Sequence, residues 1–168
     1  VTVLDQSFTN RFRIVSAGGK TIGITTVLGD EHAKELETDG IEVIPARQGL
    51  SEVIPLIREA QCDLRVLVAF DSLESCRQLA KEFPEFDVLI TTGGAGEPTM
   101  FPEQIKVGNH TTHMIQVGVK GMYVGVVGFF AGQSPPIRYQ RITLDSRYAD
   151  SAEIKDLFFN YLGFWGFG

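Results

Sequence analysis

Hydrophobic and polar positions alternate in two runs near the start of the chain, and this pattern predicts a pair of β-strands. The runs cover Arg11–Val15 and Lys20–Val27, and the Ala-Gly-Gly segment between them is typical of a hairpin turn. The polar run that follows predicts a helix from Asp30 to Thr38, which a glycine ends. The segment GIEVIP, residues 40–45, predicts a short strand.

A strand–helix–strand rhythm occupies the middle of the chain. Apolar residues at helical spacing predict a helix over Leu50–Ala60, and a nearly continuous apolar run follows at Asp63–Phe70. A second helix, Ser72–Phe83, leads to a second apolar run at Asp87–Thr91. Strands this apolar are typical of parallel sheets that are buried on both faces. We therefore expect the two runs to be parallel strands of one α/β sheet, joined by right-handed crossovers.

After a loop at residues 92–110, the pattern changes to antiparallel strands. These are Thr112–Val117, Met122–Phe130 and Tyr139–Leu144, and the segment Gly118–Gly121 predicts a tight turn between the first two. We expect the last two strands to cover the apolar face of the parallel strands that no helix covers, with pairing of two copies through that face as the alternative. Residues 150–168 are predicted to form a terminal helix or linker.

Size and composition narrow the classes of partner. With 168 residues, the chain is one domain or a large piece of one, and its 43% hydrophobic and 21% charged content is ordinary for a globular core. The net charge of -6 argues against a nucleic-acid partner, which requires a basic surface. No apolar run reaches the roughly 20 residues that a membrane-spanning helix needs. We therefore expect no nucleic acid and no membrane span.

The cysteines do not indicate a metal site. Cys62 and Cys76 are not spaced as CxxC, so neither a zinc ribbon nor a haem-attachment motif is predicted. We interpret both as core thiols, with a disulfide as the alternative. The chain begins at Val1 without Met or a signal peptide, which indicates a processed or excised form and leaves its compartment open.

The loop TTGGAG, which follows the second apolar strand, is the first candidate site. Glycine lets backbone N–H groups converge on an anion because it has no Cβ. Thr91, Thr92, Gly93 and Gly94 are therefore a candidate anion-binding loop. Molybdopterin-binding domains have a similar loop, but they continue into a helix, whereas two prolines follow here. A structural turn is the alternative.

The histidines do not form a joint metal site in this pattern. His110 and His113 lie three residues apart where a strand begins, so they point to opposite faces of that strand. His32 stands alone on a polar helix. We interpret all three as solvated. No Ser–His–Asp or Cys–His arrangement is evident, and a general-base aspartate stays open.

Four segments carry a resemblance to a known family. They are GGKTIGITTV, ARQGLSEVIPLIREAQCDLRVLVAFDS, LAKEFPEFDVLITTGGAGEP and THMIQVGVKGMYVGVV. In order and spacing, from about Phe12 to Gly128, they resemble the second half of the calcineurin-like metallophosphoesterase domain of exported 5′-nucleotidases. The third segment is similar to the stretch that leads to the family's Gly-Gly-His-x-His motif. The resemblance implies an αββα sandwich, of which this chain supplies much of one half.

The same resemblance implies a metal site whose ligands are missing. Members of the family hold two divalent metal ions with His and Asp side chains. Their strand-end histidine falls on Phe70, and the two histidines of Gly-Gly-His-x-His fall on Gly93 and Ala95, none of which can bind a metal. The first-half motifs Asp-x-His, Gly-Asp-x-x-Asp and Gly-Asn-His-Glu have no counterpart in this chain. We therefore expect no metal or other cofactor, and we interpret TTGGAG as a degenerate metal loop.

These observations favour one metallophosphoesterase-like domain over residues 1–168, corresponding to the C-terminal half of the family's domain. We expect it to be catalytically inactive, with a structural or binding role in a larger exported protein, periplasmic or extracellular. Its partner would be the remainder of that chain or a second copy. Two alternatives stay open. One is the C-terminal half of an active metal-dependent phosphohydrolase, and the other is a small anion- or cofactor-binding module that uses the TTGG loop.

Overall fold

The fold was derived from a computed structural model, which describes residues 2–3, 6–7, 11–37, 43–94, 96–119, 121–149 and 151–153. The predicted terminal helix or linker at 150–168 lies outside these ranges, apart from residues 151–153. Ala95 also lies outside them. Two short strands, β1 (Thr2–Val3) and β2 (Gln6–Ser7), pair with each other near the start of the chain.

A six-stranded sheet forms the centre of the described structure. Its strands are β3 (Phe12–Ala17), β4 (Lys20–Leu28), β5 (Leu64–Phe70), β6 (Val88–Thr91), β7 (Glu103–Val107) and β8 (His110–Gln116). Their order across the sheet is β3-β4-β5-β6-β8-β7. Strands β4, β5, β6 and β8 are parallel, and the two edge strands are antiparallel to their neighbours. The predicted parallel pairing of the two apolar runs is confirmed, with Val66 opposite Val88.

Three helices accompany this sheet: α1 (Asp30–Glu37), α2 (Ala46–Glu59) and α3 (Leu73–Glu82). Helix α2 begins directly after Pro45, earlier than predicted, because Arg47, Gln48 and Gly49 in its first turn interrupt the apolar pattern. At the start of α3, the side chain of Ser72 accepts a hydrogen bond from the Ser75 N–H at 3.1 Å and caps the helix. Within the described ranges, no helix is long and apolar enough to cross a membrane.

Helices α2 and α3 pack on the same face of the sheet, as right-handed crossovers between successive parallel strands require. The core between them is built from fully buried apolar side chains of both layers. Its members include Leu50, Ile57, Leu79, Leu67, Leu89 and Met114. Burying one such side chain stabilises the fold by roughly 1.5–3 kcal/mol.

The opposite face of the sheet is covered by an antiparallel hairpin, β9 (Tyr123–Phe129) and β10 (Ile137–Thr143). A second apolar cluster joins the hairpin to the sheet. The sheet contributes Leu64, Val66, Val88 and Ile115 to this cluster, and the hairpin contributes Val127, Phe129, Ile137 and Tyr139. The expectation that the last two strands cover this face is therefore confirmed.

The structure corrects three predictions of local structure. The predicted loop at residues 92–110 contains strand β7, and β8 pairs with β7 rather than with β9. The segment Gly118–Gly121 is therefore not a hairpin turn, because it connects the main sheet to the covering hairpin. Residues 43–45, the described part of the predicted GIEVIP strand, are irregular and lead into α2.

Candidate functional site

The candidate site residues predicted from the sequence lie at the carboxyl edge of the parallel strands. Phe70 is the last residue of β5, and Thr91 is the last residue of β6. The Gly29 N–H, after β4, donates to the Phe70 carbonyl at 2.9 Å, and the Thr92 N–H donates to the Ala69 carbonyl at 3.3 Å. The structure thus brings Phe70 and the TTGG loop together, as parallel strands that end at the same edge require.

Gly93 lies against the backbone of the neighbouring loop. A Cβ built on Gly93 would lie 2.2 Å from the carbonyl oxygen of Asp71 and 3.1 Å from the backbone nitrogen of Leu73. The first distance is shorter than any real Cβ contact, and the obstructing atom is backbone, which cannot swing aside as a flexible side chain can. Position 93 therefore accepts no side chain in this loop conformation.

Thr91 ties the loop to the core. It is fully buried, and its Oγ1 accepts hydrogen bonds from the Gly93 N–H at 2.9 Å and from the Cys76 thiol at 3.1 Å. The same hydroxyl donates to the Asp71 carbonyl at 3.3 Å. Burial raises the pKa of the Cys76 thiol, so this cysteine is a protonated hydrogen-bond donor and not a thiolate ligand.

Two backbone donors of the TTGG loop are already used inside the chain. Of the three N–H groups from Thr92 to Gly94, the Thr92 group donates to a strand carbonyl and the Gly93 group donates to the Thr91 hydroxyl. Neither converges on a common point where an anion would lie. The loop packs against Leu73 at the start of α3, although the sequence pattern did not predict a helix terminus beside the loop. The side chain of Ser72 caps this terminus. This geometry favours a structural turn over an anion cradle.

Phe70 and His32 form an aromatic pair at the same edge. Their ring centroids are 4.5 Å apart and their planes are inclined by 55°. The interpretation of His32 as a solvated histidine is wrong, because α1 places its ring against Phe70 and leaves it half-buried. Phe70 presents only carbon at the strand end.

His110 and His113 point to opposite faces of β8, as their spacing predicts. The His110 Nε2 lies 3.0 Å from the Phe86 carbonyl on the helix-covered face, and Thr112 donates to the same carbonyl at 2.7 Å. His113 lies under the covering hairpin, and its Nδ1 is buried without a hydrogen-bond partner in the described structure. Neither histidine is solvated, so that interpretation is wrong here as well.

Asp71 is a carboxylate at this edge that the sequence reasoning did not single out. It directly follows the last residue of β5, so its carboxylate lies at the carboxyl edge of the parallel sheet. Its Oδ1 accepts a hydrogen bond from the Ser72 N–H at 2.7 Å. No group of three or more His, Cys, Asp or Glu side chains in the described residues could hold a metal ion. The third position of the degenerate metal site, Ala95, lies outside those residues.

Comparison with known proteins finds solved structures that share this fold. No protein-family model and no curated protein sequence matches the chain. Among solved structures, the sulfate thiohydrolase SoxB of Thermus thermophilus, in complex with glycerol, has a TM-score of 0.62 at 16% identity, over 90% of this chain and 28% of that one. A putative 5′-nucleotidase from Staphylococcus aureus, in complex with α-ketoglutarate, has a TM-score of 0.59 at 17% identity, over 96% of this chain and 35% of that one.

A hypothetical protein from Thermus thermophilus is also similar, with a TM-score of 0.54 at 12% identity, over 80% of this chain and 61% of that one. At these identities the likeness concerns the fold alone. The predicted fold class, a partial metallophosphoesterase-like α/β arrangement with parallel strands followed by antiparallel ones, is confirmed. The chain spans about a third of the length of the first two relatives.

Proposed function

We propose that this chain is a catalytically inactive metallophosphoesterase-like domain with a structural or partner-binding role in a larger exported protein. The observation that carries the proposal is the packing at Gly93, where a Cβ would lie 2.2 Å from the Asp71 carbonyl oxygen. By the sequence resemblance, this position belongs to a metal ligand in active members of the family. Here the neighbouring backbone occupies the space that a ligand side chain would need.

The neighbouring position supports the same conclusion. Metal-assisted phosphoester hydrolysis requires imidazole, carboxylate or thiolate donors that hold the ion and activate its water. Phe70 offers carbon alone, and the imidazole closest to it, that of His32, packs on the phenyl ring. A single substitution at either position would therefore not rebuild a ligand set.

The covering hairpin supports a binding role. Apolar side chains on and beside its outer surface are roughly two-fifths exposed, and neighbouring exposed apolar residues mark surfaces that bind other proteins. These are Met122, Val124, Val126 and Leu144. We propose that the remainder of a longer chain contacts these side chains, since two of the three structures of similar fold are about three times as long.

Hydrolysis assays with added Mn²⁺ test the proposal directly. The chain should hydrolyse p-nitrophenyl phosphate and AMP no faster than background, and elemental analysis after dialysis should find no stoichiometric metal. The triple variant Phe70→His/Gly93→His/Ala95→His should also fail to bind Mn²⁺ in calorimetry. Gly96→His, at a position with open space around it, serves as the matched control for an added surface imidazole. Activity or stoichiometric metal in the unmodified chain would disprove the proposal.

A second candidate function follows from the small part of the similar structures that this chain spans. Two of the similar structures are described as a thiohydrolase and a putative 5′-nucleotidase, and this chain spans only 28% and 35% of them. In this alternative the chain completes a working phosphohydrolase whose metal ligands come from a preceding segment. Assaying a longer protein that contains this chain distinguishes the two. Metal-dependent hydrolysis that Asp71→Asn abolishes would favour the alternative.

A further inference from the structure

The covering hairpin has a second apolar face, which points away from the sheet. Strand β9 turns Val127 and Phe129 toward the sheet, so the alternate residues Val124 and Val126 lie on its outer side, together with Met122 just before the strand. These three outer side chains are between 42% and 45% exposed. The inner face is therefore buried by the second apolar cluster, whereas the outer face is apolar and open in the described structure.

Strand β10 extends the same outer face. Ile142 lies directly opposite Val124 in the β9–β10 ladder, and the Leu144 N–H donates to the Met122 carbonyl at 2.8 Å. Residues that lie opposite each other in an antiparallel pair point to the same face, so Ile142 adjoins Val124 and Leu144 adjoins Met122. With Val126, these residues form what we call the outer hairpin face. Its length along β9 is about 13 Å, from a rise of about 3.3 Å per residue.

The chain that leaves this face carries an apolar segment of its own. Residues 145–156 are mostly polar or charged, but the next twelve residues, LFFNYLGFWGFG, contain no charged side chain. Eight of these twelve are apolar, and six of the eight are aromatic. We call residues 157–168 the aromatic segment. Each large apolar side chain gains about 1.5–3 kcal/mol when it is fully removed from water, so this composition favours contact with an apolar surface.

Chain connectivity and surface charge favour the outer hairpin face as the surface that this segment meets. Leu157 is 13 residues after Leu144, and an extended chain of that length reaches about 43 Å, well beyond the length of the face. A segment tethered this closely has an effective concentration in the millimolar range, so even a weak contact is populated. Helix α2, on the other side of the sheet, instead carries Arg47, Glu52 and Arg58 in ion pairs, which an uncharged segment would desolvate without compensation.

We propose that the aromatic segment docks on the outer hairpin face of its own chain. Its aromatic rings would pack on Val124, Val126 and Ile142, because flat rings bury a large apolar area on the even surface of a strand pair. This inference rests on the binding role proposed above and names the part of the chain that reaches these side chains first. It requires neither a metal nor a second molecule.

The single tryptophan of the chain, Trp165, lies in the aromatic segment and reports its surroundings. In the 168-residue protein, its fluorescence should be blue-shifted from that of N-acetyltryptophanamide and protected from acrylamide. Nuclear Overhauser effects should join aromatic protons of the segment to the methyl groups of Val124 or Val126. The protection should not change on dilution. A solvent-exposed indole would overturn the inference, and so would protection that dilution removes, because the segment would then bind a second copy.

Variants locate the contact. Val126→Lys places a charge in the outer hairpin face and should shift the Trp165 emission to the red and raise its quenching by acrylamide to that of N-acetyltryptophanamide. Leu56→Lys is the matched control, since Leu56 is 42% exposed on α2 and Val126 is 45% exposed, and it should change neither signal. Equal responses would overturn the inference. If circular dichroism shows that Val126→Lys does not fold, the Overhauser effects of the unmodified protein decide, and their absence refutes the docking. The inactive-domain proposal is tested separately, by hydrolysis and metal content.

Discussion

The imidazole of His32 lies 4.5 Å from the ring of Phe70, at the end of the strand where the family resemblance implies a metal ligand. One aromatic ring packs there on another, and the contact joins the first turn of α1 to the end of β5. Phe70 is 48% exposed, so the pair lies at the surface of the strand edge rather than in the core.

Phe70→Ala should therefore cost little stability, about 1 kcal/mol, because roughly half of the side chain is already in water. Phe86→Ala is the matched control, since Phe86 is 1% exposed and its truncation should cost about 3–5 kcal/mol. Urea unfolding measures both. In proton spectra, the His32 Cε1–H signal should move in Phe70→Ala, as the ring current beside it is lost. An unmoved signal would contradict the contact.

Gly93→Ala should destabilise the chain by roughly 2 kcal/mol or more, since the added methyl group would force the Asp71 backbone to move. The control is Gly96→Ala, where a Cβ meets nothing within 4 Å and the change should be near neutral. Thermal unfolding followed by circular dichroism compares the two variants. If both lost equal stability, the closed packing at position 93 would be wrong.

Asp63 should make stability depend on acid pH. Its hydrogen bond with the Lys20 ammonium at 2.8 Å, together with the Thr21 N–H at 2.9 Å, lowers the pKa of its carboxyl group from 3.8 to about 2. A pKa that is lower in the folded state stabilises the protein above the unfolded value, and this contribution is lost as the pH falls through the folded value. The protein should thus be more stable than Asp63→Asn above about pH 4, and this advantage should disappear between about pH 4 and pH 2.

Urea unfolding at several pH values measures this difference. Asp145→Asn is the control, because the partner of Asp145, Arg147, is two residues away and remains nearby in the unfolded chain. Its difference from the unmodified protein should be smaller across the same pH range. A pH-independent difference for Asp63→Asn would show that the Lys20 contact does not form.

Arg141 should anchor the covering hairpin. Its side chain is only 9% exposed, donates to the Pro98 carbonyl and to the Glu97 carboxylate at 2.7 Å, and lies 4.5 Å above the ring of Tyr123. Arg141→Gln should cost about 2 kcal/mol, because the charge-assisted bonds are lost and the carbonyl loses its partner. Arg147→Gln, which removes an exposed ion pair, should cost less than about 0.5 kcal/mol. Equal losses in urea unfolding would contradict the anchoring role.

The parallel strands could be predicted from the sequence because strands with so many apolar residues must be buried on both faces. Leu67 and Leu89 are both fully buried, and only a sheet covered on both faces buries such runs. Strand β7 was missed because its residues, Glu103–Val107, are mostly charged or polar and follow a segment rich in prolines. A usable signal was present: Gly108-Asn109 between Val107 and His110 is a two-residue hairpin turn, with Gly108 at φ 58°.

The candidate site was predictable only in part. The positions Phe70 and Gly93 could be placed from the resemblance, but the obstruction at Gly93 comes from Asp71, which the fold brings across from another strand end. A cavity lined by Gln104, His113 and Ile137, among others, could not be predicted from the sequence, since its walls come from β7, β8, β10 and the loops before β7 and β10. Contacts between distant segments depend on registry and packing that a local pattern does not encode.

Within the described residues, the covering hairpin shares no backbone ladder with the six-stranded sheet, and apolar side-chain packing together with the Arg141 contacts to Glu97 and Pro98 holds it in place. Opening of the hairpin would therefore break the Arg141 contacts and the apolar packing, while every hydrogen bond of the main ladder stays intact. Native-state hydrogen exchange would then show the amides of β9 and β10 opening at a lower free energy than those of β5 and β6. The same motion would expose Ile137 and Tyr139, which pack against the sheet, so solvent access to this apolar cluster would depend on local opening of the hairpin rather than on unfolding of the whole chain.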